Sequence, residues 1–435
     1  MSNATQFLLD ESHAGVGPEH APRLVRVQQD FPRPVEADVG AAVARELQPI
    51  LKNVTAGQRI AITGSSRGIS NLRQVIQVCV ERLKAVGAEP FVVPGMGSHG
   101  GATAQGQLQV LADTHGLTED SVGCPIRSSM EVVQIGKTRT GFPVFQDRNA
   151  HDADGVLVIN RVKPHTGFTE KVESGICKML VIGLGKQFGA SKIHQQALRV
   201  AMGTMILDAS RIILEAERPR IIGAIALVEN AFKETALVES VPVDSHEALV
   251  AAESALLKKA YEWLPRLPFE DLDALVVDEM GKNVSGSGMD TNVIGKKRGQ
   301  TSPRIGTIYL RGLTEATHGN ATGIGNADIM PRALFDQVDL NSTYMNAFTA
   351  KSLGGGKMPM LMESELQALQ VMMQFRQEED PASLRLAWIK NTSKLDELWV
   401  SSALLEEVRA NCALRILGEP LQLRFDADDN FVLPR

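Results

Sequence analysis

Residues 59–94 read RIAITGSSRGISNLRQVIQVCVERLKAVGAEPFVVP. Arg59–Thr63 (RIAIT) is a short β-branched run of the kind that forms a strand. Beyond a turn, Leu72, Val75, Ile76, Cys79 and Leu83 fall at i, i+3, i+4 and i+7 spacing, the apolar stripe of a helix that Gly87 stops. Pro90–Pro94 (PFVVP) is the next strand. Working outward, the alternation continues with a helix over Ala102–His115 ended by Gly116, and a strand at Gly155–Ile159. A long helix is expected to open near Ser191 as N-cap and to run to about Glu217. Then come a strand at Ile221–Val228, a helix over Ser245–Leu264, and strands at Asp273–Asp278 and Arg304–Leu310. Buried strands alternating with amphipathic helices indicate an α/β fold with mostly parallel sheets.

Residues 1–34 carry no sustained period and end in Phe31-Pro-Arg-Pro34, which reads as an N-terminal arm. The Pro265–Pro268 stretch (PRLP) separates an N-terminal α/β domain, 35–268, from a C-terminal one, 269–435. The chain has 435 residues, 43% hydrophobic and 22% charged, which is ordinary for a globular enzyme and excludes a largely disordered chain. A net charge of −6 argues against a broad basic face for nucleic acid. Apolar runs such as Met179–Leu184 and Ile221–Val228 are far short of the roughly 20 residues that cross a bilayer. The first thirty residues lack the basic-then-apolar layout of a secretory signal. Cys79, Cys124, Cys177 and Cys412 form no CxxC pair, so neither a disulfide framework nor a cysteine-rich zinc site is indicated. The expectation is a cytoplasmic protein.

In open α/β sheets ligands bind outside the carboxyl ends of the strands. Those positions carry Gly-Ser-Ser66-Arg67-Gly, Gly95-Met-Gly-Ser-His99-Gly-Gly, Asn160-Arg161-Val-Lys163-Pro-His165, Glu229-Asn230 and Gly281–Asp290. Imidazole, guanidinium, amine and glycine-rich backbone recur along one edge, and an active site is expected there and in the cleft between the domains. Thr63–Ser70 nearly spells the TGxxxGxG loop of short-chain dehydrogenases, but Ser70 stands where the third glycine belongs. No YxxxK pair accompanies it, since Tyr261, Tyr309 and Tyr344 are followed four residues on by Pro265, Leu313 and Phe348. Gly95-x-Gly97-x-x-Gly100 is a literal GxGxxG with a bulky His inside it, a weak signal alone. Gly183-Leu-Gly-Lys186 and Gly354-Gly-Gly-Lys357 lack the Ser or Thr of a phosphate loop.

Of nine histidines, three stand out: His99 and His165 in Gly/Pro-rich loops, and His194. Imidazole suits acid–base work because its ordinary pKa lies near neutrality, although a single loop histidine more often caps a helix or lies at the surface. Lys178, in Ser174-Gly-Ile-Cys-Lys178-Met-Leu-Val-Ile-Gly, either snorkels or pairs with Glu173, or is a desolvated amine placed for covalent or cofactor chemistry.

Together these segments resemble the nickel-dependent lactate racemase family and its relatives acting on other 2-hydroxy acids. The carrying motifs are the Arg67 turn, the Gly-Ser-His99-Gly-Gly loop, the Pro-His165 step, the Ser174-Gly-x-x-Lys178 segment and His194. The stretch Gly281–Asn292 resembles one branch of these relatives, and the order is kept over about residues 35–360. The resemblance implies two α/β domains closing over a nickel-pincer nucleotide, tethered by thioamide to Lys178 on the Ser174–Gly175 segment, with His194 completing nickel coordination. It implies His99 and His165 as the acid–base pair, and Arg67 with Ser66 as contacts to the substrate carboxylate. The implied reaction is racemisation or epimerisation of a 2-hydroxy acid by reversible hydride transfer from C2. The His165–Lys178 gap is longer than in lactate racemases, and small residues, Gly64-Ser65-Ser66, replace an acidic one before Arg67, so the substrate need not be lactate. Lys296 and Lys297 are alternative candidates for a substrate lysine. An NAD(P)-dependent dehydrogenase and a non-catalytic hydroxy-acid or nucleotide-binding module are the rival readings. The expected partner is a small 2-hydroxy acid, with no nucleic acid or membrane; a homo-oligomer is compatible.

Overall fold

The computed structural model describes residues 17–66, 68–197, 199–349, 351–376 and 380–433. They fall into two units, Pro32–Leu264, and the residues up to Phe31 together with Pro265–Arg435. Each is an α/β unit, the first built on a mostly parallel sheet and the second on a mixed one.

In chain order, β1 (Arg23–Gln29) belongs to the second unit. The first holds β2 (Arg59–Gly64), β3 (Glu89–Pro94), a ribbon of β4 (Val132–Lys137) and β5 (Pro143–Asp147), then β6 (Gly155–Arg161), β7 (Ile221–Glu229) and β8 (Thr235–Val241). Its five-stranded sheet runs β3-β2-β6-β7-β8, parallel except for the final β7–β8 pair.

Alternation along the strands sorts the two faces. Ile60, Ile62, Leu157, Ile159, Ile225 and Leu227 pack on the helices Val39–Leu51 and Leu72–Ala85, which bury the stripe Leu72, Val75, Ile76, Cys79 and Leu83. The opposite face is smaller, with Ala61, Val156, Val158, Ala224, Ala226 and Val228. Against it lie the helices Met202–Glu215 and His246–Glu262 and the apolar segment Ile176–Gly183 that follows Gly175. Alanines on that face leave room for a short helical segment close to the strands.

The connections set where a site can form. From β2 the chain moves to β3 on one side, whereas β6 leads to β7 on the other, so the topological switch point lies between β2 and β6. Backbone pairing of these two strands covers Ile60 to Ile62. Past it the Thr63 hydroxyl donates to the Ile159 carbonyl at 2.9 Å and accepts from the Ile159 N–H at 2.8 Å, so a side chain joins the strands where the crevice opens.

Two elements differ from the sequence reading. The helix expected from Ser191 to Glu217 is two, Lys186–Gln196 and Met202–Glu215, with Ser191 inside the first. Ala201, in extended backbone (φ −56°, ψ 134°), begins the second. Arg23–Gln29, read as part of an arm, is strand β1, with Leu24, Val25 and Val27 fully buried. Its neighbours bury it on both faces, which erases the alternation that marks a half-exposed strand.

In the second unit β9 (Asp271–Val277), β10 (Arg304–Leu310), β11 (Ile329–Pro331), β12 (Met360–Met362) and β13 (Leu386–Asn391) form a parallel group. Antiparallel β14 (Lys394–Ser401), β1 and β15 (Leu414–Ile416) extend it. The Gly281–Asp290 loop follows β9 and closes on itself through Gly281 N–H to Gly288 O, 3.2 Å. Lys296 pairs with Asp328 at 3.6 Å, and Lys297 is buried. Among the described residues no helix is long and apolar enough to cross a membrane.

Candidate active site

Strands β2, β3 and β6 end beside the switch point and deliver the loops that carry most of the site. Ser66 leaves β2 and His99 leaves β3, and the structure brings them together, with Ser66 Oγ 2.5 Å from His99 Nδ1. Arg67 lies outside the described residues. The His99 loop is built by backbone packing: Gly97, at φ +59°, donates to Gly183 O at 3.0 Å, and a Cβ there would sit 3.2 Å from Ile182 O. Gly100 packs in the same way on the Gly106–Gln107 peptide. Gly97 is thus occupied in holding the His99 loop onto the turn after Lys178, and Gly100 in packing on the Gly106–Gln107 peptide, where a dinucleotide fingerprint would turn its glycines to a pyrophosphate.

His165 leaves β6. Its backbone N–H donates to Glu173 Oε2 at 2.6 Å, and the other Glu173 oxygen accepts from Tyr261 Oη at 2.9 Å. Glu173, 1% exposed, thereby ties the His165 loop to the segment just before Ser174. Ser174 and Lys163 reinforce this with a backbone bridge, 2.8 and 3.3 Å. The His165 ring lies 4.3 Å from that of Phe168, and its Nδ1 accepts from Gly167 N–H at 2.9 Å. A neutral ring that accepts at Nδ1 carries its proton on Nε2. Close by, Arg161 is ion-paired with Glu229, which also accepts from Ser70 N–H at 2.8 Å, so the Arg161 charge is committed to the sheet edge.

Lys178 ends the single helical turn Ile176–Lys178, and a wider turn follows in which Leu184 N–H reaches back five residues to Met179 O at 2.9 Å. Such π-type turns are often found at functional sites. The turn is anchored at its start: Asn160 Nδ2 donates to Gly175 O at 2.7 Å, and Glu253 Oε2 accepts from Cys177 N–H at 2.8 Å. A Cβ on Gly175 would collide with the Glu253 carboxylate, which is why glycine precedes the turn. Half-buried His194, on the helix Lys186–Gln196, has its pKa lowered first by burial and then by the charge of Lys178. The structure therefore puts Lys178 and His194 within electrostatic reach of each other.

Glu253 and Gln107 gave no sequence signal, Asn160 was read only as a loop residue and Glu173 only as a partner for Lys178, because each acts through backbone groups that only the fold brings near. Glu253 is fully buried, and burial pushes its carboxyl up to about 7. In an unfolded chain a glutamate titrates near 4.3. The folded state thus keeps a proton that the unfolded state has released, so this contribution is full below about pH 4 and is lost as pH rises through about 7, by about 4 kcal/mol in total. Glu253→Gln should remove that slope: urea unfolding of wild type is expected to weaken relative to the variant between pH 5 and pH 8. An unchanged difference across that range would rule the assignment out.

Residues 19–201 match the family described as the lactate racemase N-terminal domain. Over this segment, less than half of its length, the chain is similar to the lactate racemase N-terminal domain. Ser66, His99, His165, Ser174, Gly175, Lys178 and His194 all fall inside the matched lactate racemase segment. Solved structures similar to the chain include the lactate racemase apoprotein from Thermoanaerobacterium thermosaccharolyticum, 11% identical, with 85% of this chain and 99% of that one covered and a TM-score of 0.48. No curated protein matches the chain.

Proposed function

We propose that the protein racemises or epimerises a 2-hydroxy carboxylic acid, using a nickel-pincer nucleotide tethered to Lys178. The observation that carries this reading is the Lys178 amine within electrostatic reach of His194 in the segment that matches the lactate racemase N-terminal domain. Burial and the neighbouring amine both favour the neutral imidazole, whose lone pair is then available to a metal. Among the described residues no group of three or more His, Cys, Asp and Glu side chains could hold a metal unaided. A single protein donor suits a group that brings its own sulfur donors, and histidine with sulfur suits nickel. When bound, the cofactor supplies a reversible acceptor for the hydride at C2.

The chain's own residues do the rest. His99 and His165 take and return the hydroxyl proton, one for each configuration, since inversion needs a proton acceptor on either side. Ser66 steadies His99, and Arg67 with Ser66 holds the substrate carboxylate. Ser174 and Gly175 carry the tether turn. The small residues Gly64-Ser65-Ser66 before Arg67 leave the substrate class wider than lactate.

Protein made in a host that synthesises the cofactor should carry nickel and an adduct of several hundred daltons on Lys178, read by intact and peptide mass. A C2-deuterated substrate should keep its deuterium through inversion and turn over with a primary isotope effect. Loss of the label to water would show proton abstraction at C2 and overturn the hydride route. Binding of NAD(H) or NADP(H) at equilibrium, without an adduct, would favour the dehydrogenase reading.

A further inference from the structure

Eight residues after Lys178, and eight before His194 on the same helix, lies a second lysine that the acid–base reading leaves unused. Lys186 is fully buried, and its backbone sits at φ +53°, a region that side-chain-bearing residues rarely occupy unless their surroundings impose it. Its ammonium has three donors and meets three acceptors: Pro94 O at 2.9 Å, Gln107 Oε1 at 2.5 Å, and Asp147 Oδ2, ion-paired at 3.4 Å. Asp147 is equally buried, donates its own N–H to Leu184 O at 2.6 Å and accepts from Ala150 N–H at 2.9 Å.

The lysine settles how Gln107 is turned. With Oε1 on the ammonium, Nε2 points to the His99 loop and donates to Gly97 O at 2.9 Å and His99 O at 3.4 Å. Gln107 is itself fully buried, so these bonds form without competition from water. One node therefore joins the end of β3, the His99 loop, the end of β5, the turn that follows Lys178, and the helix that bears His194.

We infer that Lys186 and Gln107 are positioning residues for His99: Lys186 orients Gln107, and Gln107 clamps the Gly97 and His99 carbonyls so that the His99 loop keeps its place on the turn after Lys178. Asp147 balances the charge that this arrangement buries. The consequence for turnover rests on the function proposed above; the clamp itself does not.

Two variants test it: Gln107→Leu, which leaves the Lys186–Asp147 pair, and the charge-neutral double Lys186→Met/Asp147→Asn. In both, amide hydrogen exchange of residues 95–101 in the unloaded protein is expected to quicken by about tenfold or more, with exchange in the core strands unchanged. In loaded protein the Lys178 adduct should persist, while kcat falls by about 10²-fold and KM stays within about threefold, as for a misplaced catalytic group. A node that only supports the fold predicts instead that the double variant, once folded, turns over normally. Unchanged exchange at 95–101, or a normal kcat in either variant, overturns the inference. If wild-type protein itself shows no turnover, the proposed function falls, and the exchange measurement still decides the clamp.

Discussion

Replacing Lys178 by Ala is expected to give folded protein that carries no adduct, retains no nickel and interconverts no 2-hydroxy acid. Folding should survive because backbone contacts at Gly175 O, Cys177 N–H and Met179 O hold this turn, and the substitution leaves them in place. Activity should fall by at least about 10³-fold, because a covalent tether provides an effective concentration of the cofactor, on the order of 10⁵ M or more, that free diffusion cannot match. Lys178→Arg separates the two things a lysine brings to this place. It keeps a cation beside His194, but a guanidinium stays protonated and is no nucleophile toward an activated carboxyl group. Arg should therefore be as inactive and as free of nickel as Ala, measured by intact mass, metal content and turnover together. A fully active Arg variant would reduce Lys178 to a charge, and a fully active Ala variant would move the tether elsewhere.

The candidate residues could be picked out in sequence because an α/β fold puts its polar loops at strand ends. RIAIT, PFVVP and GVLVI are buried on both faces of the sheet and read as continuous apolar runs, so the loops after them could be inspected one by one for Ser66, His99 and His165. What could not be read was adjacency. Nothing in residues 59–161 says that β6 lies beside β2 with β3 on the far side, yet that order creates the crevice between Thr63 and Ile159. The break between Gln196 and Met202 was equally hidden, since the alanines at 197 and 201 favour helix. Lys186 was read inside Gly183-Leu-Gly-Lys186 only as a failed phosphate loop. Its work depends on Pro94, Gln107 and Asp147, which are 92, 79 and 39 residues away in the chain. A sequence shows a polar side chain; whether it is satisfied by water or by a distant carbonyl is decided by packing.

Substituting the two histidines singly should separate the two half-reactions. His99→Ala and His165→Ala are each expected to keep the Lys178 adduct and to lose about 10² to 10⁴ in turnover, the usual contribution of a positioned acid or base. Steady-state rates alone cannot show which histidine serves which configuration. For a racemase the equilibrium constant is one, so kcat/KM must fall equally in both directions whichever base is removed. A single turnover escapes that constraint, because it stops at the planar 2-oxo acid. With loaded enzyme in excess over one pure enantiomer, acid quench should release 2-oxo acid from one configuration with the His99 variant and from the opposite one with the His165 variant. The hydrogen bonds also set a rank order. Gly167 N–H favours the neutral His165 ring with its proton on Nε2, so to act as a base there the ring must carry its proton on Nδ1 instead and lose this bond. Ser66 Oγ can donate to or accept from His99 Nδ1, which allows either tautomer without moving the ring. Ser66→Ala should for that reason cost less than His99→Ala, roughly tenfold, and should slow the same enantiomer. If both histidine variants oxidise the same enantiomer, or either oxidises both at the wild-type rate, the two-base assignment fails even where the adduct on Lys178 stands.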